Sequence, residues 1–174
     1  MKKSKVHKAN LERLLKRYNY QRDLTLELDR IGDRPFRPSD VDRIVLWKVN
    51  RYVKLGSKTR KALNCAVDLK PGLHRKARDV LLALLQERGV DLPMASTLLR
   101  FRNPKTFQVI DRRAYRAVYD VAYPLKRTTG DEEKLEVYFD YLDELVKLAK
   151  ASKFPFENLD RALYVLDKEL KNKL

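Results

Sequence analysis

Apolar residues recur at helical spacing along most of this chain, and no segment shows the sustained alternation of apolar and polar residues that is typical of a β-strand. Segment 11–20 places four apolar residues on one side of a helix, and segment 77–89 repeats the pattern. Proline and glycine residues interrupt the sequence between such segments. The pattern predicts an all-α fold of seven to nine helices.

We predict a single compact domain over residues 1–174, because a chain of this length buries roughly two-thirds of its unfolded surface. A division into two lobes around a cleft near residues 89–116 is compatible with the pattern. Trp47 is predicted to lie in the core, and Ser39 or Asp40 is predicted to cap the helix that follows the loop. The predicted helices cover residues 11–20, 41–55, 57–69, 77–89, a segment from about 93, 112–123, 132–150 and 156–171.

Positive charge is concentrated in the middle of the sequence. The formal net charge is +15, and residues 34–116 hold 20 Lys/Arg against 7 Asp/Glu, whereas residues 131–170 hold 6 against 11. A basic region of this size attracts polyanions, of which nucleic acid is our first expectation and an anionic membrane surface is the alternative. Charge runs are also commonly solvated faces of a protein, and this interpretation suits the acidic C-terminal region.

Cysteine usage and hydropathy restrict the compartment and the cofactors. Cys65 is the single cysteine, so an internal disulfide and a cysteine-held iron–sulfur cluster are excluded. His7 and His74 lack metal-ligand spacing, and we predict surface or capping roles for them. No apolar run approaches the roughly 18 residues that a membrane span needs. We therefore expect a cytoplasmic, nucleoid-associated monomer without a membrane partner, a metal or a cofactor.

Residues 89–116 combine a turn, a short helix, a proline-broken loop and one acid. Gly89 is placed to adopt the left-handed backbone conformation that ends a helix. Pro93 marks the start of a second helix, and Asp111 follows an apolar pair directly before a basic amphipathic helix. This acid is our candidate for chemistry.

The same stretch resembles the helix-hairpin-helix region of the DNA glycosylase superfamily related to endonuclease III. The GVGxKTA part of the family pattern LPGVGxKTA aligns without a gap on residues 89–95. The pattern VDxHVxRV aligns from residue 110, with Asp111 and Arg116 coinciding. Asp111 lies 18 residues after Pro93, which matches the separation of the family's lysine and aspartate. The match covers residues 77–119, and the helical remainder of the chain is compatible with it.

The resemblance implies a base-excision DNA glycosylase that binds double-stranded DNA. Asp111 is then the catalytic carboxylate, which stabilises the positive charge that develops on the deoxyribose or activates a water. The target base would be extruded from the duplex into a pocket. Backbone N–H groups at the turn would hold one phosphate, and a cluster of basic side chains would hold others. The implied DNA-binding residues are Gly89, Val90, Asp91, Leu92, Ala95, Arg100, Arg102, Lys105, Arg112, Arg113 and Arg116.

Two positions of the hairpin depart from the family pattern. Asp91 replaces the second glycine and adds a negative charge beside the expected phosphate. Pro93 replaces the lysine that forms a Schiff base, so the resemblance implies a monofunctional glycosylase without an efficient lyase step. Lys48, Lys54 and Lys58 stay as stand-in nucleophile candidates.

Each of these features also has an ordinary structural interpretation. Asp111 suits an N-cap of the following helix, and the arginines suit a solvated helix face. Phe101, Phe107 and Tyr115 suit the core as well as base stacking. The alternative function is a non-catalytic nucleic-acid-binding module on a glycosylase-like scaffold, or a subunit that docks through its acidic C-terminal helices. An RNA-binding or ribosome-associated protein is a third hypothesis.

Overall fold

Helices form all of the regular structure in the residues that the computed structural model describes, which are 10–49, 53 and 55–171. The predicted all-α class is confirmed. His7, Lys54 and part of the end of the predicted helix 41–55 lie outside the described residues. Within the described ranges, no helix combines the length and the apolar composition that crossing a membrane requires. The helices are α1 (Leu11–Lys16), α2 (Arg22–Asp29), α3 (Pro38–Val49), α4 (Ser57–Cys65), α5 (Arg78–Leu85), α6 (Leu92–Arg102), α7 (Arg112–Tyr119), α8 (Asp131–Ser152) and α9 (Leu159–Lys171), with 3₁₀ turns at Ala66–Asp68, His74–Ala77 and Phe156–Asn158.

Local backbone chemistry explains where several helices begin and end. The predicted helix 57–69 stops at Cys65 and continues as a single 3₁₀ turn. The predicted helix 112–123 ends at Tyr119, because Asp120 adopts a left-handed backbone with a φ of 57°, which aspartate accepts more readily than most residues. The helix after the loop begins at Pro38, so Ser39 and Asp40, which were predicted to cap it, lie inside its first turn instead. From there the Asp40 carboxylate accepts a hydrogen bond at 2.8 Å from the N–H of Arg37, the residue before the helix.

All nine helices of the described chain contribute to one hydrophobic cluster. α1 and α7 pack against α9, α3 packs against α2 and α6, and α5 packs against α4, α6 and α8. Helix α6 lies at the centre, because every one of its residues except Pro93 is buried. Trp47 is buried as predicted, and its ring packs edge-on against Phe101 of α6 with 5.2 Å between the ring centroids.

Two basic residues of α6 that we expected to face DNA are buried instead. The Arg102 guanidinium donates hydrogen bonds to the backbone carbonyls of residues 32–34 and of Asn64, at 2.7 to 3.3 Å. The Arg100 guanidinium donates to Asp29 Oδ1 at 2.7 Å, and only 3% of Arg100 is exposed. Because both guanidinium groups are buried and make their hydrogen bonds inside the protein, neither is available to a phosphate in this fold.

His74 also lies inside the protein and not at its surface. The residue is 1% exposed, and its Nε2 lies 3.0 Å from Asp143 Oδ1 of α8. Burial lowers the pKa of His74, and the neighbouring Asp143 carboxylate opposes that shift. The imidazole therefore joins the 3₁₀ turn before α5 to the middle of α8.

Candidate active site

The loop between α6 and α7 carries the chain to Asp111 and is held from two sides. From α8, the hydroxyls of Tyr138 and Tyr141 donate to the two backbone carbonyls that precede Ile110, at 2.9 and 3.0 Å. From α6, the Ser96 Oγ accepts a hydrogen bond from the Ile110 N–H at 3.2 Å. Both tyrosines are fully buried, so these bonds form in a medium of low dielectric where they are strong. The backbone that presents Asp111 is therefore fixed by the core.

The carboxylate of Asp111 divides its two oxygens between structure and a cavity. Oδ1 accepts hydrogen bonds from the N–H groups of Arg113 and Ala114, at 2.9 and 2.8 Å, which confirms the predicted N-cap of α7. Oδ2 lies 3.9 Å from Lys48 Nζ, and 28% of the Asp111 side chain is exposed. The structural role of Asp111 therefore leaves one oxygen beside an amine.

Lys48 reaches this point from α3, near the end of the helix. Its side chain is only 15% exposed, which is unusual for a lysine. Burial lowers the pKa of the Lys48 amine, while the negative charges of Asp111 and Asp160 oppose that shift. Of the two nucleophile candidates that the structure describes, Lys48 lies beside Asp111, whereas Lys58 is exposed on α4.

Lys48 and Asp111 line a half-open cavity of about 230 Å³ whose walls include four aromatic side chains. Drug-sized ligands occupy sites of about 300–1,000 Å³, so this volume suits one planar ring system. The Tyr20 ring packs against Trp47 at 5.1 Å and against Tyr164 at 6.1 Å, which fixes the wall. The full lining consists of Tyr18, Tyr20, Trp47, Lys48, Val109, Asp111, Ala114, Asp160, Arg161 and Tyr164.

The aromatic residues of the cavity are not those that the sequence suggested for base stacking. Phe101 and Phe107 are buried in the core, and Tyr115 packs against Tyr119 with 4.5 Å between the ring centroids. The cavity uses aromatic rings from the segment between α1 and α2, from α3 and from α9. Apart from the basic and aromatic composition of these segments, no local pattern marks them, because they meet only in the folded chain.

The turn between α5 and α6, residues 86–91, has the predicted backbone conformation. Most of the N–H groups that we expected to bind a phosphate, however, donate hydrogen bonds within the chain. Gly89 adopts a φ of +87°, the left-handed conformation that was predicted. Three of the five expected contacts have N–H groups that donate within the chain, those of Val90, Leu92 and Ala95. Their acceptors are the carbonyl of Glu87 and the carbonyl and carboxylate of Asp91, at 2.8 to 3.1 Å. Leu92 and Ala95 are also buried.

Asp91 does not stand alone as a negative charge at this turn. Its Oδ1 lies 3.0 Å from the Nζ of Lys134 on α8, whose side chain is 8% exposed. The turn borders a second cavity of about 410 Å³, which Arg127 and Thr129 also line. The pairing with Lys134 offsets the unfavourable charge that the sequence places there. The assignment of α5 and α6 as a helix-hairpin-helix stays a prediction.

Helix α7, which begins directly after Asp111, carries three of the four remaining expected cations. Arg113 and Arg116 both donate to the Asp167 carboxylate of α9, at 2.6 to 3.2 Å, and each keeps a third or more of its side chain exposed. Arg112 is exposed directly beside Asp111, and Lys105 is exposed on the loop after α6. Arg112 and Lys105 are therefore the expected phosphate ligands that lie at the surface without a role in the core.

Comparison with known proteins adds no family to this description, because no protein-family model, curated protein or solved structure matches the chain. Within the described residues, no three His, Cys, Asp or Glu side chains are grouped so that they could hold a metal ion. What the site can do is accordingly argued from its own residues.

Proposed function

We propose that this protein binds double-stranded DNA and removes a damaged or mismatched base by breaking its N-glycosidic bond. The observation that carries the proposal is the cavity at Asp111. Its aromatic walls suit a planar ring, and its acid keeps one oxygen that the helix cap does not use. A base can reach such a cavity only after it has been extruded from the duplex.

Asp111 has the chemistry that glycosidic cleavage requires. As the bond breaks, positive charge develops on the deoxyribose, and a carboxylate held nearby stabilises that charge or activates the attacking water. The backbone N–H groups of Arg113 and Ala114 both donate to Oδ1. The start of α7 thus orients the Asp111 carboxylate before the substrate arrives.

The charge of the chain supports a DNA partner. The net charge of +15 favours a polyanion, and the exposed Arg112 is adjacent in sequence to the proposed catalytic acid. Arg113 and Arg116 add positive potential on the same helix even though they pair with Asp167. Binding through such contacts is insensitive to base sequence, so the choice of target base rests on the cavity.

The test is base release from duplexes that each carry one lesion: uracil, hypoxanthine, 8-oxoguanine, an alkylated base or a mismatch. We expect at least one duplex to gain an abasic site, detected as alkali-sensitive strand cleavage, and we expect Asp111→Asn to reduce this release by about 10²–10⁴-fold. Asn is as good an N-cap as Asp, so the variant removes the charge while keeping the helix start. Asp79→Asn is the matched control, because Asp79 is an exposed acid in the first turn of α5.

A non-catalytic nucleic-acid-binding module is the second candidate. The capping role of Asp111 Oδ1 favours it, since the residue has a structural reason to be an acid without any chemistry. Tight duplex binding combined with no base release from any of these substrates would establish this second function in place of the first. Preference for structured RNA over duplex DNA at matched salt would indicate the RNA-binding hypothesis.

A further inference from the structure

Lys48 places an amine in the cavity wall without fixing it there. Its nearest carboxylate oxygen, Asp111 Oδ2, is 3.9 Å from Nζ, which is beyond hydrogen-bond length. Among the described residues, no hydrogen bond to this amine is formed. A buried lysine in a purely structural role is normally held by close acceptors, because desolvation of its charge is costly. The position of Lys48 therefore calls for another explanation.

The other charged groups of the cavity wall are already paired. Asp160 Oδ2 lies 3.3 Å from Arg100 Nε, and Arg161 is paired with Asp29 at the outer side of the same helix start. The aromatic neighbours Tyr18, Tyr20 and Tyr164 supply a desolvating wall. Within the described chain, Lys48 and Asp111 are thus the two opposite charges of this wall that face each other without closing into a hydrogen bond.

An amine in this setting is suited to attack a carbonyl carbon. Desolvation raises the fraction of the amine that is neutral, and only the neutral form is a nucleophile. A carboxylate 3.9 Å away can take up and return the protons that such an addition moves. The nucleotide that the proposed function delivers to this cavity becomes a carbonyl compound once its base has left, because an abasic deoxyribose opens to an aldehyde.

We propose that Lys48 is the nucleophile for the C1′ aldehyde of an abasic deoxyribose, and that this site therefore cleaves the DNA strand at abasic sites. The inference rests on the proposed function, because both steps need an extruded nucleotide in the same cavity. The amine comes from α3, whereas the resemblance placed the family's lysine at the position of Pro93. A strand-cleaving step is accordingly added to the base removal that the sequence implied alone.

The step balances with water and protons as the other reactants. Neutral Nζ adds to C1′, and the proton that Nζ gives up passes through Asp111 Oδ2 to the former carbonyl oxygen. The hydroxyl group then leaves as water after one further proton is taken from solvent, which yields a protonated imine. C2′ loses a proton to Asp111, and the resulting enamine expels the 3′ phosphate with its bonding electron pair. Water hydrolyses the imine, releasing an unsaturated aldehyde and restoring Lys48.

Reductive trapping on a preformed abasic site tests this inference. The full chain is incubated with a labelled duplex that contains one abasic site, in the presence of cyanoborohydride, which reduces an imine to a stable secondary amine. We expect a covalent protein–DNA product on a denaturing gel, and peptide mapping by mass spectrometry should locate the modification on Lys48. No product, or a product that maps to Lys54, Lys58 or the N-terminal amine, would overturn the inference.

Variants sharpen the same experiment. Lys48→Gln keeps the length of the side chain without a nucleophile, and we expect it to lose both the trapped product and strand cleavage. Lys58→Gln is the matched control, since Lys58 is an exposed lysine outside the cavity, and it should trap as the unmodified chain does. The mapping on the unmodified chain stands even when Lys48→Gln does not fold, which thermal melting reveals.

The abasic duplex separates this inference from the proposed function. Base release without any trapped product at Lys48 leaves the proposed function standing and contradicts the role of Lys48 as the nucleophile. Trapping at Lys48 and strand cleavage, without base release from any lesion, would support the role of Lys48 as the nucleophile and contradict the proposed removal of a base. We expect Asp111→Asn to slow the trapping by about 10²–10⁴-fold if its carboxylate relays the protons, the range for positioned acid–base groups.

Discussion

The turn of residues 86–91 and the cavity at Asp111 belong to the same stretch of sequence, but the fold uses their polar groups in opposite ways. At the turn, the N–H groups of Val90, Leu92 and Ala95 and the charge of Asp91 all have partners within the protein. At the cavity, Asp111 keeps one oxygen beside the Lys48 amine. Polar groups with partners inside the protein stabilise the fold, whereas groups left at a cavity are available to a substrate. One short stretch of sequence can therefore contain both polar groups that stabilise the fold and polar groups that are available to a substrate.

The largest expected effect separates the two roles of Asp111. Both Asp111→Asn and Asp111→Ala should reduce base release by about 10²–10⁴-fold, because each removes the carboxylate. Only Asp111→Ala should also lower the free energy of unfolding, by about 1 kcal/mol, because alanine cannot cap α7. Single-turnover assays measure the first effect and urea unfolding the second. Full activity in Asp111→Asn would show that Asp111, like the polar groups of the turn, has a structural role only.

The next largest effect concerns Arg102, whose charged group makes its hydrogen bonds inside the protein. Arg102→Met should lower the free energy of unfolding by about 3 kcal/mol, because four partly buried hydrogen bonds from one buried guanidinium are lost, at about 0.5–1.5 kcal/mol each. Urea unfolding measures the loss, with the exposed Arg112→Met as the control. Arg102→Met with the stability of the parent chain and weaker DNA binding would place Arg102 at the DNA surface after all.

Acid unfolding tests the contribution of a second charged residue with partners inside the protein, Asp40. The Arg34 guanidinium and the Arg37 N–H hold the pKa of Asp40 at about 2, below the ordinary value of 3.8. Because the folded-state pKa is the lower one, Asp40 stabilises the fold above about pH 3.9 and loses that contribution as the pH falls toward 2. Thermal melts between pH 5 and pH 2 should therefore fall less steeply for Asp40→Asn than for the unmodified chain. Parallel curves would contradict this role.

The smallest expected effect belongs to an exposed charge. Arg112→Ala should leave the stability unchanged and weaken duplex binding almost equally for all base sequences. The slope of the logarithm of the binding constant against the logarithm of the salt concentration should decrease by about 1, the value for one phosphate contact. Fluorescence anisotropy over a salt series measures this slope, and Arg88→Ala, at an exposed arginine that is not part of α7, is the comparison.

Local features of the sequence were sufficient for the helices, the left-handed Gly89 and the cap at Asp111, since each depends on residues a few positions apart. Burial of Arg100 and Arg102 was not predicted, because their acceptors lie 38 to 71 positions away. One sequence signal did exist, because residues 92–99, the part of α6 before these arginines, carry no charged side chain, which is typical of a buried helix. The cavity could not be predicted, because its walls come from four separate parts of the chain.

The position of α9 in the cavity wall has a consequence for the order of events during synthesis. Asp160, Arg161 and Tyr164 of α9 complete a wall whose other parts are translated more than 40 residues earlier. A nascent chain that has reached the end of α8 already contains Lys48 and Asp111 but lacks that wall and the helix on which α1 and α7 pack. Because packing of this kind forms as a unit, the pocket is assembled only after α9 has left the ribosome.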